Sequence, residues 1–275
     1  MGRPIDGMIV VITGASSGIG KALAEQLAPR GAELVLAARR LDKLEELNHK
    51  LGGQHLCIPC DVSSTEECKS LIEKSVEHFG RIDTLVCNAG YGMVRTVGET
   101  SPEEFRRIFA TNVFGTTDCA HFALPIMAKQ ELRDGWRGQV MIVSSAAGRR
   151  GLPYFGAYSS TKAAQLSIAE ALRVECRPLG IAVTSVHPVG TETDFFDVAQ
   201  QQGGKTMPAK HKAEIRQSAR RVAREMIRGI ASPRAEVWPL RAARWALSLA
   251  TLIPGPVDRV MEKFRKELDE QNRKS

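Results

Sequence analysis

At 275 residues and 43% hydrophobic content, the chain can form one large domain or two small ones, and global disorder is excluded. Its net charge of +7 is uneven: from Lys205 onward 17 basic residues stand against 8 acidic ones, whereas the rest carries 21 and 23. A basic tail of this kind reads first as a solvated helix face, and nucleic acid is not an expected partner.

Six cysteines (Cys57, Cys60, Cys68, Cys87, Cys119 and Cys176) are scattered through the chain. Met1 to Asp6 is too short and polar ahead of the first apolar run to act as a secretory leader, so reduced thiols in a cytoplasmic protein are expected. Cys57-Ile58-Pro59-Cys60 matches Cys-x-x-Cys but has no second pair at zinc-finger distance, and no metal is expected there.

In chain order, Met8 to Ile12 is a short β-branched strand run, followed by a glycine-rich loop and a helical stretch from Lys21 to Ala28. Glu33 to Ala38 repeats the strand signal, and Asp42 to Leu51 the helical one with Asp42 as its cap. Further strands are predicted at His55 to Pro59, Asp83 to Cys87, Gln139 to Ser144 and Ile181 to His187. Helices from Ser64 to Phe79, Pro102 to Met127 and Ala157 to Leu179 separate them. Strands alternating with amphipathic helices predict an α/β fold of Rossmann type, a doubly wound parallel sheet with helices on both faces. Ligands of such sheets bind where strand order reverses, at the carboxyl ends of the strands. Beyond His187, Gln200 to Lys205 reads as a mobile loop, Lys210 to Ile230 as a helix and Ala235 to Trp238 as a last edge strand. Two helices, Arg241 to Ile253 and Val257 to Asp269, are separated by Pro254-Gly255-Pro256. The chain thus divides into a catalytic domain over 1–238 and a C-terminal helical extension over 239–275.

The loop Thr13-Gly14-Ala15-Ser16-Ser17-Gly18-Ile19-Gly20 fits a strand-to-helix turn that receives a phosphate. Gly14 permits the tight turn, Gly18 the approach of a pyrophosphate, and Gly20 the packing of helix on strand. The helix N-terminus then offers free amides and a partial positive charge to the anion. Ser16, Ser17 and Ile19 are candidate cofactor contacts with the three glycines.

Tyr158 and Lys162 stand four residues apart in a predicted helix, so the ammonium can lie beside the phenol. A cation there favours phenolate and lowers a pKa of about 10, making the tyrosine usable as an acid or base. A single Tyr-x-x-x-Lys carries little weight. The ordered set of glycine loop, serine, tyrosine and lysine is specific.

From roughly Met8 to Phe196 the chain resembles the short-chain dehydrogenase/reductase family. Thr13 to Gly20 matches that family's cofactor loop, and Cys87-Asn88-Ala89-Gly90 its Asn-Asn-Ala-Gly signature with cysteine for the first asparagine. Asp61-Val62 matches the adenine-contacting pair, Asn112 the catalytic asparagine, and Ser145 lies at the family's usual interval before Tyr158.

The resemblance implies NADP(H)- or NAD(H)-dependent interconversion of a carbonyl and an alcohol. Tyr158 is the implied proton donor or acceptor, and Ser145 the group that hydrogen-bonds the reacting oxygen. Lys162 tunes the tyrosine and holds the nicotinamide ribose, while Asn112 anchors a water linking Lys162 to solvent. Asn88, Ala89 and Gly90, with Pro188, Val189 and Thr193 after the sixth strand, complete the implied cofactor contacts. The acidic residue that selects NAD falls at Ala38 and is absent, whereas Arg39 offers a planar donor for a 2′-phosphate, so NADP(H) is the expected cofactor.

Tyr91, Met93, Tyr154, Phe155, Phe195 and Phe196 are candidates for an apolar substrate pocket, favouring a lipophilic carbonyl or alcohol. His187 reads as a strand-end histidine rather than a base. In the tail, Trp238, Trp245, Leu247, Leu249, Leu252 and Ile253 mix with Arg241 and Arg244. That stretch is too short to span a bilayer and reads first as a helix over the pocket or against a subunit, with peripheral membrane contact as the alternative. The family's habit of pairing the helices that carry Asn112 and Tyr158 implies a homodimer or homotetramer. Rival readings are an NADP(H)-binding redox sensor without turnover and a 3-oxoacyl-carrier-protein reductase.

Overall fold

The computed structural model describes residues 2–207 and 217–274. The predicted helix from Lys210 falls outside the described residues up to position 216. Seven parallel strands form the central sheet: β1 (Ile9–Thr13), β2 (Glu33–Ala38), β3 (Leu56–Pro59), β4 (Thr84–Cys87), β5 (Gly138–Val143), β6 (Ile181–Val186) and β9 (Glu236–Val237). Their spatial order is β3-β2-β1-β4-β5-β6-β9. β7 (Thr191–Glu192) and β8 (Gln217–Ser218) form a small separate parallel pair.

Strands covered on both faces need apolar side chains in both directions, and the chain supplies them. Every residue of β1, β4, β5 and β6 is buried. One core lies on the side of α1 (Gly18–Leu27) and α8 (Ala219–Ala231), the other on the side of α3 (Thr65–Phe79), α5 (Gly115–Met127) and α6 (Gly156–Glu175). The doubly wound α/β architecture expected from the sequence is therefore the one formed. Strand order reverses between β1 and β4, so the loops after both strands open onto the same crevice.

Several local readings need correction. α2 (Leu41–Lys50) is N-capped at Arg40 and receives no side-chain cap, so Asp42 sits inside its first turn rather than at the cap. Of the stretch read as a mobile loop, Gln200 to Lys205, the residues through Gly203 instead end α7 (Phe195–Gly203), and Gly204 is its left-handed C-cap. Gly203 is there for close packing: a Cβ on it would lie 2.2 Å from the Val94 carbonyl oxygen. Pro254-Gly255-Pro256 opens α10 (Pro254–Lys274), and the break from α9 (Arg241–Leu252) falls at Ile253.

The single helix predicted over Pro102 to Met127 is three segments. α4 (Pro102–Phe109) begins with a capping box between Ser101 and Glu104. A π-helical turn follows over Ala110–Phe114, and then α5. Asn112 causes this widening to be useful: its side chain leaves the helix to grip the Tyr91 backbone at both N–H and C=O, each at 3.0 Å.

Candidate active site

The loop after β1 turns through Gly14 in the left-handed region (φ 67°), where a Cβ would also meet the Ala89 Cα at 2.9 Å. A Cβ on Gly20 would meet the Gly14 carbonyl at 2.4 Å, which is why that helix position holds glycine. Ser17 is extended at the N-cap of α1 and makes no side-chain cap, so the first amides of the helix face outward. Asn88 braces the loop by donating to the Thr13 carbonyl at 2.9 Å, and Thr13 Oγ1 accepts from the amides of Asn88 and Ala89 at 3.0 Å. The result is a cradle of backbone donors at the N-terminus of α1. It fits a pyrophosphate, and the donor set suits a dinucleotide.

A cavity of about 800 Å³ extends from this cradle across the carboxyl edge of the sheet. Gly14, Ser16, Ser17, Gly18 and Ile19 line one end with Arg39, Asp61 and Val62. Asn88, Ala89, Gly90, Pro188, Val189 and Thr193 line its middle, and Ser145, Tyr158 and Lys162 stand beyond them. Of the predicted catalytic and cofactor residues, two do not line it: Gly20, packed beneath the loop, and Asn112, fully buried.

The arrangement of the reactive side chains follows from three elements meeting at one edge. Ser145 follows β5 and caps a short 3₁₀ turn, its hydroxyl accepting from the Ala147 amide at 3.1 Å and donating to the Pro188 carbonyl at 3.4 Å. Neighbouring Ser144 is committed elsewhere, donating to the Lys162 carbonyl at 2.7 Å. Tyr158 and Lys162 lie on one face of α6, with the ammonium nitrogen 5.6 Å from the ring centroid. Lys162 Nζ donates to the Val143 carbonyl and to Gln165 Oε1, both at 2.8 Å.

Electrostatically the pair departs from the sequence expectation. Burial pushes the Tyr158 phenol up to about 12, with the Ser145 hydrogen bond opposing it. Burial also brings Lys162 down to about 7. Burial disfavours both charged forms, phenolate and ammonium alike. His187 is likewise held neutral, lowered to about 4 mainly by burial, stacked on Trp238 at 4.4 Å and hydrogen-bonded to Ser185 Oγ at 2.9 Å.

The far end of the cavity is apolar. Of the sequence candidates, Tyr91, Phe155, Phe195 and Phe196 line it. Met93 does not, being packed in the core with Ile108 and Ala157. Nor does Tyr154, whose hydroxyl donates to Asp269 Oδ1 at 2.5 Å. Residues the sequence reading missed are Leu152, Met207, Met261 and Phe264. The last two come from α10, which folds over the cavity with Leu268 fully buried beneath it. The 261, 264, 268 spacing of apolar residues on a predicted helix was the available signal. It is this helix that covers the pocket, while α9 leaves Trp245 73% exposed and Leu252 77% exposed.

Comparison with known proteins agrees with this architecture. Residues 8–203 match the family model described as short chain dehydrogenase. The chain is 33% identical over 265 residues to 11-beta-hydroxysteroid dehydrogenase-like 2 of Arabidopsis thaliana, covering 94% of this chain and 82% of that one. It spans only 60–61% of the length of three further such plant relatives. A short-chain dehydrogenase/reductase of Burkholderia phymatum solved in complex with NAD superposes with a TM-score of 0.81 at 24% identity, over 90% of this chain and 94% of that one, a likeness of fold. A 3-ketoacyl-(acyl-carrier-protein) reductase of Brucella melitensis complexed with NADH gives a TM-score of 0.75 at 25% identity, over 85% and 97%. The chain belongs to the short-chain dehydrogenase/reductase family of oxidoreductases.

Proposed function

We propose that the protein is an NADP(H)-dependent oxidoreductase that interconverts a lipophilic carbonyl and its alcohol, with Tyr158 as acid and base. The observation that carries this reading is the meeting of Ser145, Tyr158 and Lys162 with the glycine cradle in one cavity. A nicotinamide bound there supplies or accepts the hydride.

Gly14, Ser16, Ser17, Gly18 and Ile19 hold the pyrophosphate end, with Gly20 keeping α1 close. Asp61 and Val62 flank the adenine, and Arg39 holds the 2′-phosphate. Asn88, Ala89, Gly90, Pro188, Val189 and Thr193 support the nicotinamide half, and Lys162 its ribose. The phenol of Tyr158 gives its proton to the carbonyl oxygen during reduction and takes it back during oxidation. Ser145 donates to the same oxygen and stabilises charge as it develops. Asn112 fixes the helix geometry behind Lys162.

The apolar end formed by Phe155, Phe195, Phe196, Met261 and Phe264 favours a bulky, water-poor substrate, and the steroid-named plant relative is consistent with that class. The catalytic unit spans 1–238, and the extension over 239–275 supplies the roof. We place the protein in the cytoplasm as a homodimer or homotetramer, supported by apolar side chains at Phe114 and Val174 exposed beside the Asn112 and Tyr158 helices. Trp245, Leu249 and Leu252 beside Arg241 and Arg244 on α9 support peripheral membrane contact; no helix among the described residues is long and apolar enough to cross a bilayer.

The test is a carbonyl panel assayed with NADPH. Bulky cyclic and long-chain ketones are expected to be turned over well ahead of small polar aldehydes. Phe264→Ala should raise KM about 10-fold for the bulky ketones alone, the effect of losing part of a hydrophobic pocket wall. Equal turnover of all sizes would remove the lipophilic assignment.

A further inference from the structure

We propose that Gln165 is a positioning residue for Lys162, whose amide carries the polar link from Asn112 to the lysine and favours its ammonium form beside Tyr158. The proposal rests on the role given to Lys162 above.

Gln165 lies three residues after Lys162 on α6 and is completely buried. A buried amide is costly unless its groups find partners, and this one is held at both ends. Its Oε1 accepts from Lys162 Nζ at 2.8 Å. Its Nε2 donates to the Asn112 carbonyl at 2.7 Å and to Thr116 Oγ1 at 2.8 Å. Thr116 in turn donates its hydroxyl to the Asn112 carbonyl at 2.9 Å, leaving its lone pairs for Gln165.

This chain of partners dictates the orientation of the amide. A reversed amide would set Oε1 against the Asn112 carbonyl and turn N–H groups toward an ammonium. The π turn is what brings the Asn112 carbonyl within reach, since Asn112 lies at its centre. With Val143 and Gln165 each accepting one hydrogen, Lys162 keeps one N–H for the cavity that it lines. The Gln165 amide thus links the Asn112 backbone carbonyl to the lysine nitrogen.

The surroundings of Lys162 give this acceptor unusual weight. Tyr158, on the same helix, is the titratable group beside it. β5 presents only the Val143 carbonyl, and the π turn and α5 present Asn112 and Thr116, all neutral. Cys87 at the end of β4 contacts the Thr116 carbonyl, and burial pushes its thiol up to about 12, so it too is neutral. No carboxylate among the described residues pairs with Lys162. A hydrogen bond to the charged form favours that form, so Gln165 opposes the burial that lowers the lysine.

The experiment is a ¹³C NMR titration of the lysine Cε resonances in the full chain and in its Gln165→Leu and Gln165→Glu variants, with Lys162→Met assigning the signal. Gln165→Leu should lower the Lys162 midpoint by about one pH unit, and Gln165→Glu, which keeps the shape and adds a charge, should raise it by about one or more. In turnover, a fall of one unit cuts the ammonium fraction at pH 7 about five-fold, so Gln165→Leu should lose activity to about that extent. An unchanged midpoint in both variants overturns the proposal, as does undiminished turnover at pH 7 in a folded Gln165→Leu. If the leucine variant does not fold, an unchanged midpoint in the glutamate variant overturns it alone. Absence of turnover in the wild-type protein would defeat the proposed function while leaving the titration to decide the role of Gln165.

Discussion

Tyr158→Phe is expected to lower carbonyl turnover about 10²- to 10⁴-fold, the usual weight of a positioned acid–base group, with nucleotide binding retained. The substitution removes one oxygen and leaves the ring in place. Its neighbours are Phe155 at 6.4 Å and Phe195 at 5.1 Å between centroids, and both contacts survive in phenylalanine. What is lost is the hydroxyl and the proton it carries. Because burial holds the phenol at about 12, the wild-type enzyme keeps its donor protonated through neutral pH, so reduction should persist there. Oxidation needs the deprotonated phenol and should rise with pH. Steady-state rates and a nucleotide titration on the same preparation check both halves. Loss of binding together with rate would mean that the tyrosine holds the pocket open rather than moves the proton.

The second large effect concerns cofactor choice. Arg39→Ala should weaken NADPH binding about 10- to 100-fold and leave NADH binding unchanged, because a charge-assisted hydrogen bond is worth about 1.5–3 kcal/mol and 1.4 kcal/mol is tenfold. Arg39 is exposed at the mouth of the cavity, immediately after Ala38 at the end of β2. An aspartate introduced at Ala38 would face the same ribose and repel a 2′-phosphate, so Ala38→Asp should turn the preference toward NADH. Fluorescence titration of the three proteins with each nucleotide decides the matter. Tighter binding of NADH than NADPH by the wild-type protein would assign Arg39 to the solvent. The two solved neighbours carry NAD and NADH, which makes this comparison informative.

The parts of the fold that read directly from sequence are those where one residue type answers one local need. β1, β2 and β5 are short apolar runs bounded by turns, and Glu33 to Ala38 was placed to the residue. Gly14 and Gly20 sit where backbone crowding admits no side chain, so their spacing alone located the cradle. The misreadings arise where a distant contact overrides local signals. The π turn at Ala110–Phe114 is legible only once Tyr91 is known to lie against Asn112. Gln200 to Gly203 reads as loop by composition, yet Ala199 is buried and Arg95 donates to the Gly203 carbonyl at 2.7 Å. The roof of the pocket needs the tail to return to the core, which the Tyr154–Asp269 bond and buried Leu268 bring about; the 261, 264, 268 spacing marks an apolar face but not what it covers. The tyrosine's protonation also lay beyond sequence, because spacing predicts the lysine's proximity and says nothing of their common burial.

The most direct test of the central claim is reduction of a bulky cyclic ketone with NADPH carrying deuterium at the nicotinamide C4, followed by mass and NMR analysis of the alcohol. The account predicts one deuterium on the carbinol carbon with the wild-type protein, and product formation reduced to trace levels with Tyr158→Phe. Nucleotide binding without any labelled alcohol across the ketone panel would contradict it, and would make this cavity a binding site rather than a site of hydride transfer.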